Sequence, residues 1–239
     1  VGKSTFINRM AKKKITIITC YDASFAGWLE KNKCDALLVG DSLGIYVKGE
    51  ISTKTVLLDE LLYHTKAVKS GAKSIPIISD MPYGTFNTKR MALQNASKII
   101  DAGADMVKIE GDIEIYPIID HLTEHGIRVC GHIGFTPQTI DKPKKHYDPK
   151  VFLAKAKSIE ACGASMIVLS MMGERVDALI TKNLNIPTIS FRSSDSCDGC
   201  VEILHDLLGI SSNSYVFKRN GIKKHNDSSE ALVQKFLKK

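Results

Sequence analysis

An eight-stranded parallel β/α barrel, a (β/α)8 TIM barrel, is the fold class this sequence predicts, and three observations predict it. Eight short runs rich in β-branched residues alternate with longer segments whose apolar residues recur near helical spacing. The runs are apolar at consecutive positions rather than at every second one, as strands covered on both faces require. Gly71, Gly103, Gly126, Gly163 and Gly209 follow helical segments within a residue or two, where a left-handed cap favours glycine, and the next run begins soon after.

The strands are expected at Ile15–Cys20, Asp35–Gly40, Ile75–Asp80, Asp105–Glu110, Arg128–Ile133, Ser165–Ser170, Pro187–Arg192 and Ser214–Phe217. The helices between them are expected at Ser24–Asn32, Leu57–Ser70, Thr88–Ala102, Ile115–His125, Pro149–Ala161, Glu174–Asn183 and Cys197–Leu208, with Ser228–Lys238 closing the chain. Units averaging about 28 residues suit a closed barrel better than an open doubly wound sheet. The glycine-rich dinucleotide fingerprint of the open sheet is missing after the first strand. Residues 1–239 therefore read as a single barrel domain with basic N- and C-terminal tails.

Composition narrows the function. The chain is 44% apolar and 25% charged, the mix of a globular protein. No segment reaches the roughly 18 apolar residues of a membrane span, and the first twenty lack a signal-peptide core, so a cytoplasmic location is expected. The formal charge of +7 is uneven: residues 1–14 and 218–239 carry +5 each, leaving −3 for the interior. Such an interior offers no basic groove, and nucleic acid is not expected as a partner. The six cysteines include one C-x-x-C pair, Cys197 and Cys200, with no second pair at zinc-finger spacing, so reduced thiols are expected. The opening VGKST matches the last residues of a phosphate-binding loop, but the motif's first glycine and preceding strand are not in the sequence and no Asp-x-x-Gly or Asn-Lys-x-Asp element stands in a GTPase-like context, so nucleotide hydrolysis is not expected.

In a barrel of this kind the carboxyl ends of the strands carry the chemistry. Read in order, those ends offer Tyr21 and Asp22, Asp41 and Ser42, Asp80, Lys108 and Glu110, His132, Ser170 and Arg192. Lys108 and Glu110 are two apart on one strand and share a face. Asp41 and Asp80 each end an apolar run, a few-carboxylate arrangement that magnesium accepts while keeping its waters. His132 stands between Gly131 and Gly134, where missing side chains would permit close approach of a ligand.

Six segments, TIITCYDASFA, LLVGDSLG, YHTKAVKSGA, ISDMPYGTF, NASKIIDAGADMVKIEG and VCGHIGFTPQ, resemble the ketopantoate hydroxymethyltransferase (3-methyl-2-oxobutanoate hydroxymethyltransferase) family in order and at near-matching spacing. The resemblance implies a metal-dependent (β/α)8 barrel of the pantothenate pathway. It implies 3-methyl-2-oxobutanoate as the 2-oxo acid substrate, 5,10-methylenetetrahydrofolate as one-carbon donor, and a homo-oligomer, commonly a decamer. By position it implies Asp41 and Asp80 as Mg2+ ligands joined by Glu110. Asp41, Ser42, Asp80 and Lys108 would hold the oxoacid, with His132 lining the pocket.

Three segments depart from the family pattern. Ser170 stands where the family carries its base glutamate, and serine cannot replace a carboxylate as a base near neutral pH. His132 and Glu174 are the candidates for a substitute. The glycine-rich end of the seventh strand is SFRSS here, which places Arg192 either to grip an acidic substrate group or to pair with Asp41 or Asp80. The segment from Gln138 to Lys150 is shorter than the family's glycine-rich lid and strongly basic. Three readings follow: an active hydroxymethyltransferase, a catalytically degenerate homologue that binds or assembles, and a related barrel enzyme acting on another 2-oxo acid.

Overall fold

The structure is a computed structural model describing residues 14–211. Eight parallel strands close into a barrel in sequential order, with β8 pairing back to β1. They are β1 (Ile15–Thr19), β2 (Ala36–Val39), β3 (Ile77–Asp80), β4 (Met106–Glu110), β5 (Val129–Gly134), β6 (Met166–Ser170), β7 (Thr188–Phe191) and β8 (Gly199–Glu202). The helices are α1 (Ala23–Lys31), α2 (Leu43–Tyr46), α3 (Leu58–Gly71), α4 (Lys89–Asp101), α5 (Tyr116–Glu124), α6 (Pro149–Ala161), α7 (Glu174–Asn183) and α8 (Leu204–Leu207). Among the described residues no helix is long and apolar enough to cross a membrane.

Alternation along each strand splits the apolar residues into two cores. One set, including Ile17, Leu38, Ile78, Met106, Cys130, Met166, Val168, Ile189 and Val201, fills the barrel interior. The other, including Leu37, Val39, Ile77, Val107, Ile109, Ile133, Ile167 and Leu169, packs outward under the helices. Both faces are thus dry, which is why the runs read as continuously apolar. The interior positions nearest the carboxyl ends are instead polar from β3 to β6: Asp80, Lys108, Glu110, His132 and Ser170 are all buried. The fold therefore places the chemistry by strand register alone.

One strand was expected elsewhere. The segment Cys197–Leu208, read as a helix, contains β8 followed by the single turn α8, and it is Gly199–Glu202 that closes the barrel. Cys197, Val201, Leu204 and Leu208 mimic a helical stripe. The decision is tertiary: Gly199 lies so close to β1 that a Cβ would sit 2.6 Å from the Ile15 carbonyl oxygen. The expected strand Ser214–Phe217, the helix Ser228–Lys238 and the basic ends through Lys13 and beyond residue 211 lie outside the described residues.

Two glycine readings also change. Gly71 ends α3 without a positive φ; it is small because a Cβ there would lie 2.0 Å from the Ala23 carbonyl oxygen of α1. Gly131 faces α6, where a Cβ would meet the Ile159 side chain at 2.6 Å, so it serves helix packing rather than ligand approach.

Candidate active site

The barrel mouth holds a cavity of about 520 Å3, open to solvent, lined among others by Thr19, Asp41, Ser42, Asp80, Lys108, Glu110, His132, Phe135, Ser170, Phe191 and Ile203. Asp80 ends β3, Lys108 and Glu110 share the inner face of β4, His132 follows on β5, and Asp41 stands two residues beyond β2. The backbone N–H of Asp41 donates to Asp80 Oδ2 at 3.0 Å, which ties these two loops together. Lys108 Nζ lies 2.9 Å from Asp80 Oδ1 and 3.9 Å from Glu110 Oε2. The sequence-predicted residues Asp41, Ser42, Asp80, Lys108, Glu110 and His132 are therefore brought to one site.

Charge in this cluster does not balance. Asp41, Asp80 and Glu110 are 4%, 2% and 2% exposed, and the ammonium of Lys108 is buried among them. Burial, then the charges of Asp80 and Glu110, push the Asp41 carboxyl well above the usual carboxylate range. Burial alone would push Lys108 down, but Asp80, Glu110 and Asp41 outweigh it and hold the ammonium above its ordinary range. Burial likewise acts to raise Glu110, yet His132 and Lys108 hold that carboxyl below its ordinary value. Three carboxyl groups face the Lys108 ammonium and the His132 imidazole, and Asp41 is where a further cation or a retained proton would be accommodated. The donor set, hard oxygens on adjacent strands, fits a magnesium-class ion.

His132 is held against the carboxylate cluster. Its Nδ1 lies 2.8 Å from Glu110 Oε2 and 3.4 Å from Lys108 Nζ, and the shorter contact makes Nδ1–H the donor to the carboxylate. Nε2 is buried and has no hydrogen-bond partner among the described residues. Ser170 Oγ, on the wall made by β6, is also buried and without a partner among the described residues.

Two residues were not singled out from the sequence. Gln138 donates from its backbone N–H to Glu110 Oε1 at 2.6 Å and from Nε2 to Asp41 Oδ2 at 2.8 Å and to the Met81 carbonyl at 3.0 Å. It ends the CGHIGFTPQ segment, and a buried amide after a strand end was the available signal. Tyr21, noted only as a strand end, hydrogen-bonds Ser42 Oγ at 2.8 Å and orients it. Asp22, its neighbour, accepts from the Phe25 N–H at 2.9 Å as the cap of α1.

Two expectations fail here. Glu174 does not reach the cavity: it is exposed at the start of α7 and bonds Ser196 Oγ. Arg192 pairs with neither Asp41 nor Asp80. Its guanidinium is buried and forms an ion pair with Asp206, which also accepts from Tyr46 Oη at 2.9 Å. It is not among the residues that line the cavity.

Comparison with known proteins identifies the family and the shared barrel. The chain is 40% identical over 229 residues to the 3-methyl-2-oxobutanoate hydroxymethyltransferase of Nitrosospira multiformis, covering 92% of this chain and 87% of that one. It is 42% identical over 205 residues to the protein of that name from Wigglesworthia glossinidia brevipalpis, covering 83% and 77%. Among solved structures, phosphoenolpyruvate phosphomutase from Streptomyces platensis subsp. rosaceus superposes with a TM-score of 0.71 at 14% identity, covering 98% of this chain and 86% of that one. A phosphonopyruvate hydrolase solved with oxalate and Mg++ gives 0.65 at 11% identity, covering 98% and 94%; both show the shared barrel. The family model for ketopantoate hydroxymethyltransferase matches residues 3–238, and with these relatives it establishes that the chain belongs to that family.

Proposed function

We propose that the chain transfers a hydroxymethyl group from 5,10-methylenetetrahydrofolate to C3 of 3-methyl-2-oxobutanoate, giving 2-dehydropantoate. One water supplies the hydroxyl oxygen and tetrahydrofolate leaves, so the atoms balance. The observation that carries this reading is the buried group of Asp41, Asp80, Lys108 and Glu110 at the mouth, in a chain about 40% identical to relatives with that activity in their name.

Asp41 and Asp80, with Glu110 beside them, would hold Mg2+, and the charge excess described above supports the assignment. Bound there, the ion would polarise the ketone oxygen and stabilise the negative charge that develops when the C3 proton leaves. Lys108 adds positive charge at the same place, and Ser42, held by Tyr21, offers a hydroxyl to the oxoacid. His132 Nε2 accepts the C3 proton, and Glu110 stabilises the resulting imidazolium through Nδ1. This assigns to a histidine–carboxylate pair the work that Ser170 cannot do. In this reading the protein acts in the cytoplasm as a homo-oligomer, for which exposed Ile51, Leu57 and Tyr63 supply apolar surface.

The test is exchange of the C3 proton of 3-methyl-2-oxobutanoate in deuterated water, followed by NMR. Mg2+-dependent exchange is expected, together with hydroxymethyl transfer when the folate donor is added. No exchange at high protein concentration would establish the degenerate homologue instead.

A further inference from the structure

We infer a second metal site, for a borderline transition ion of the zinc or nickel class, on the outer face of α5, formed by His121, Glu124 and His125. Apolar Ile118, Ile119 and Leu122 turn one face of α5 into the core, which leaves these three side chains together on the other. They stand at i, i+3 and i+4, the spacing that brings helical side chains over one another. One ligand atom from each lies within 4.8 Å of the others. His121 is half-buried and Glu124 and His125 are exposed, so small rotations draw the donors to metal-bonding distance.

Two details favour an ion over a chance cluster. His125 Nδ1 donates to the His121 carbonyl oxygen at 2.7 Å, so Nε2 is left as the lone pair, and the ligating ring is oriented by a backbone acceptor as in built metal sites. The two imidazole rings are 4.4 Å apart at the last turn of α5, where free carbonyls favour positive charge. Two imidazoles and one carboxylate suit zinc, nickel or copper better than magnesium. Three ligands from one helix leave coordination positions open for water or for a donor from another molecule. The site also lies at the end of α5 that leads into the start of β5, the face of the barrel opposite the mouth. An ion there touches neither Asp41 nor Asp80.

The experiment is titration of the full chain with Ni2+, by calorimetry, in saturating Mg2+ so that the carboxylate cluster does not compete. One ion is expected to bind to the wild type, and Asp41→Asn to leave that binding unchanged. The double variant His121→Ala/His125→Ala should weaken it by at least about tenfold, the scale on which even an outer-shell partner matters. Glu124→Gln should weaken it less. All three side chains are outside the core, and an unchanged circular dichroism spectrum will show that the variants fold. Amide resonances of residues 118–128 should broaden on addition of paramagnetic Ni2+. Binding that survives in the double variant, or that disappears in Asp41→Asn, would overturn the assignment.

Discussion

The two halves of the barrel mouth differ sharply. From β2 to β5 the inner rim is charged and hydrogen-bonded: Asp41, Asp80, Lys108, Glu110 and His132 meet there, braced by Gln138. From β6 to β8 the rim is Ser170, Phe191 and Ile203, and Arg192, just beyond β7, is paired with Asp206 rather than with the acids of the mouth. One barrel therefore has a half that can organise charge and a half that excludes water and shapes the cavity. In the function proposed above, His132 of the charged half does the work of a base that Ser170 cannot do.

The largest expected effect breaks that division directly. His132→Gln keeps a similar shape but removes the basic nitrogen, and the rate of C3 proton exchange should fall roughly 10²–10⁴-fold, the usual worth of a positioned base. Ser170→Glu should leave exchange within a few-fold of wild type. Recovery by Ser170→Glu in the His132→Gln background, or a large gain from Ser170→Glu alone, would return the base to the apolar half.

A second effect sharpens the contrast from the other side. Arg192→Leu leaves Asp206 largely buried without its cation, and urea unfolding should show a loss of about 3–5 kcal/mol. Because Arg192 does not line the cavity, the exchange rate per folded molecule should stay near wild type. A selective loss of exchange with stability intact would make Arg192 a substrate-binding group after all.

The smallest effect concerns His205, packed between the Tyr21 and Tyr46 rings, with centroids 5.6 and 5.7 Å away. Burial pushes this imidazole below its ordinary value of 6.5, and the opposing charges of Asp206 and Asp22 do not overcome it. The unfolded chain thus takes up the proton more readily than the folded one. Stability on this account is full above pH 6.5 and is lost as pH falls through the folded value. His205→Gln should flatten the fall in Tm between neutral and mildly acidic pH; an unchanged slope would assign the fall to other groups.

Most of the fold was legible because parallel strands buried on both faces leave an unbroken apolar run, and seven of the eight runs fall on observed strands. The eighth was not, since Cys197, Val201, Leu204 and Leu208 recur at helical spacing across it. Gly199 inside the expected helix, preceded by Asp198, was the contrary signal: glycine costs a helix interior about 1 kcal/mol, and Asp-Gly marks a turn. At the mouth, Asp41, Asp80, Lys108, Glu110 and His132 were readable from their places at strand ends. The His132–Glu110 contact, the span of Gln138 and the Asp206 partner of Arg192 were not, because each depends on residues 22, 28, 97 or 14 positions away.

Gln138 has a consequence for the segment that follows it. With its main-chain and side-chain amides both fastened to the floor of the site, the loop beyond behaves as a cantilever clamped at its root. Its free span, where Asp141 to His146 are exposed, can lengthen, shorten or change charge over generations without tugging on the acids beneath. A short basic span in place of a glycine-rich one is therefore compatible with an undisturbed floor, and this stretch is where grafted loops would retune which donor enters.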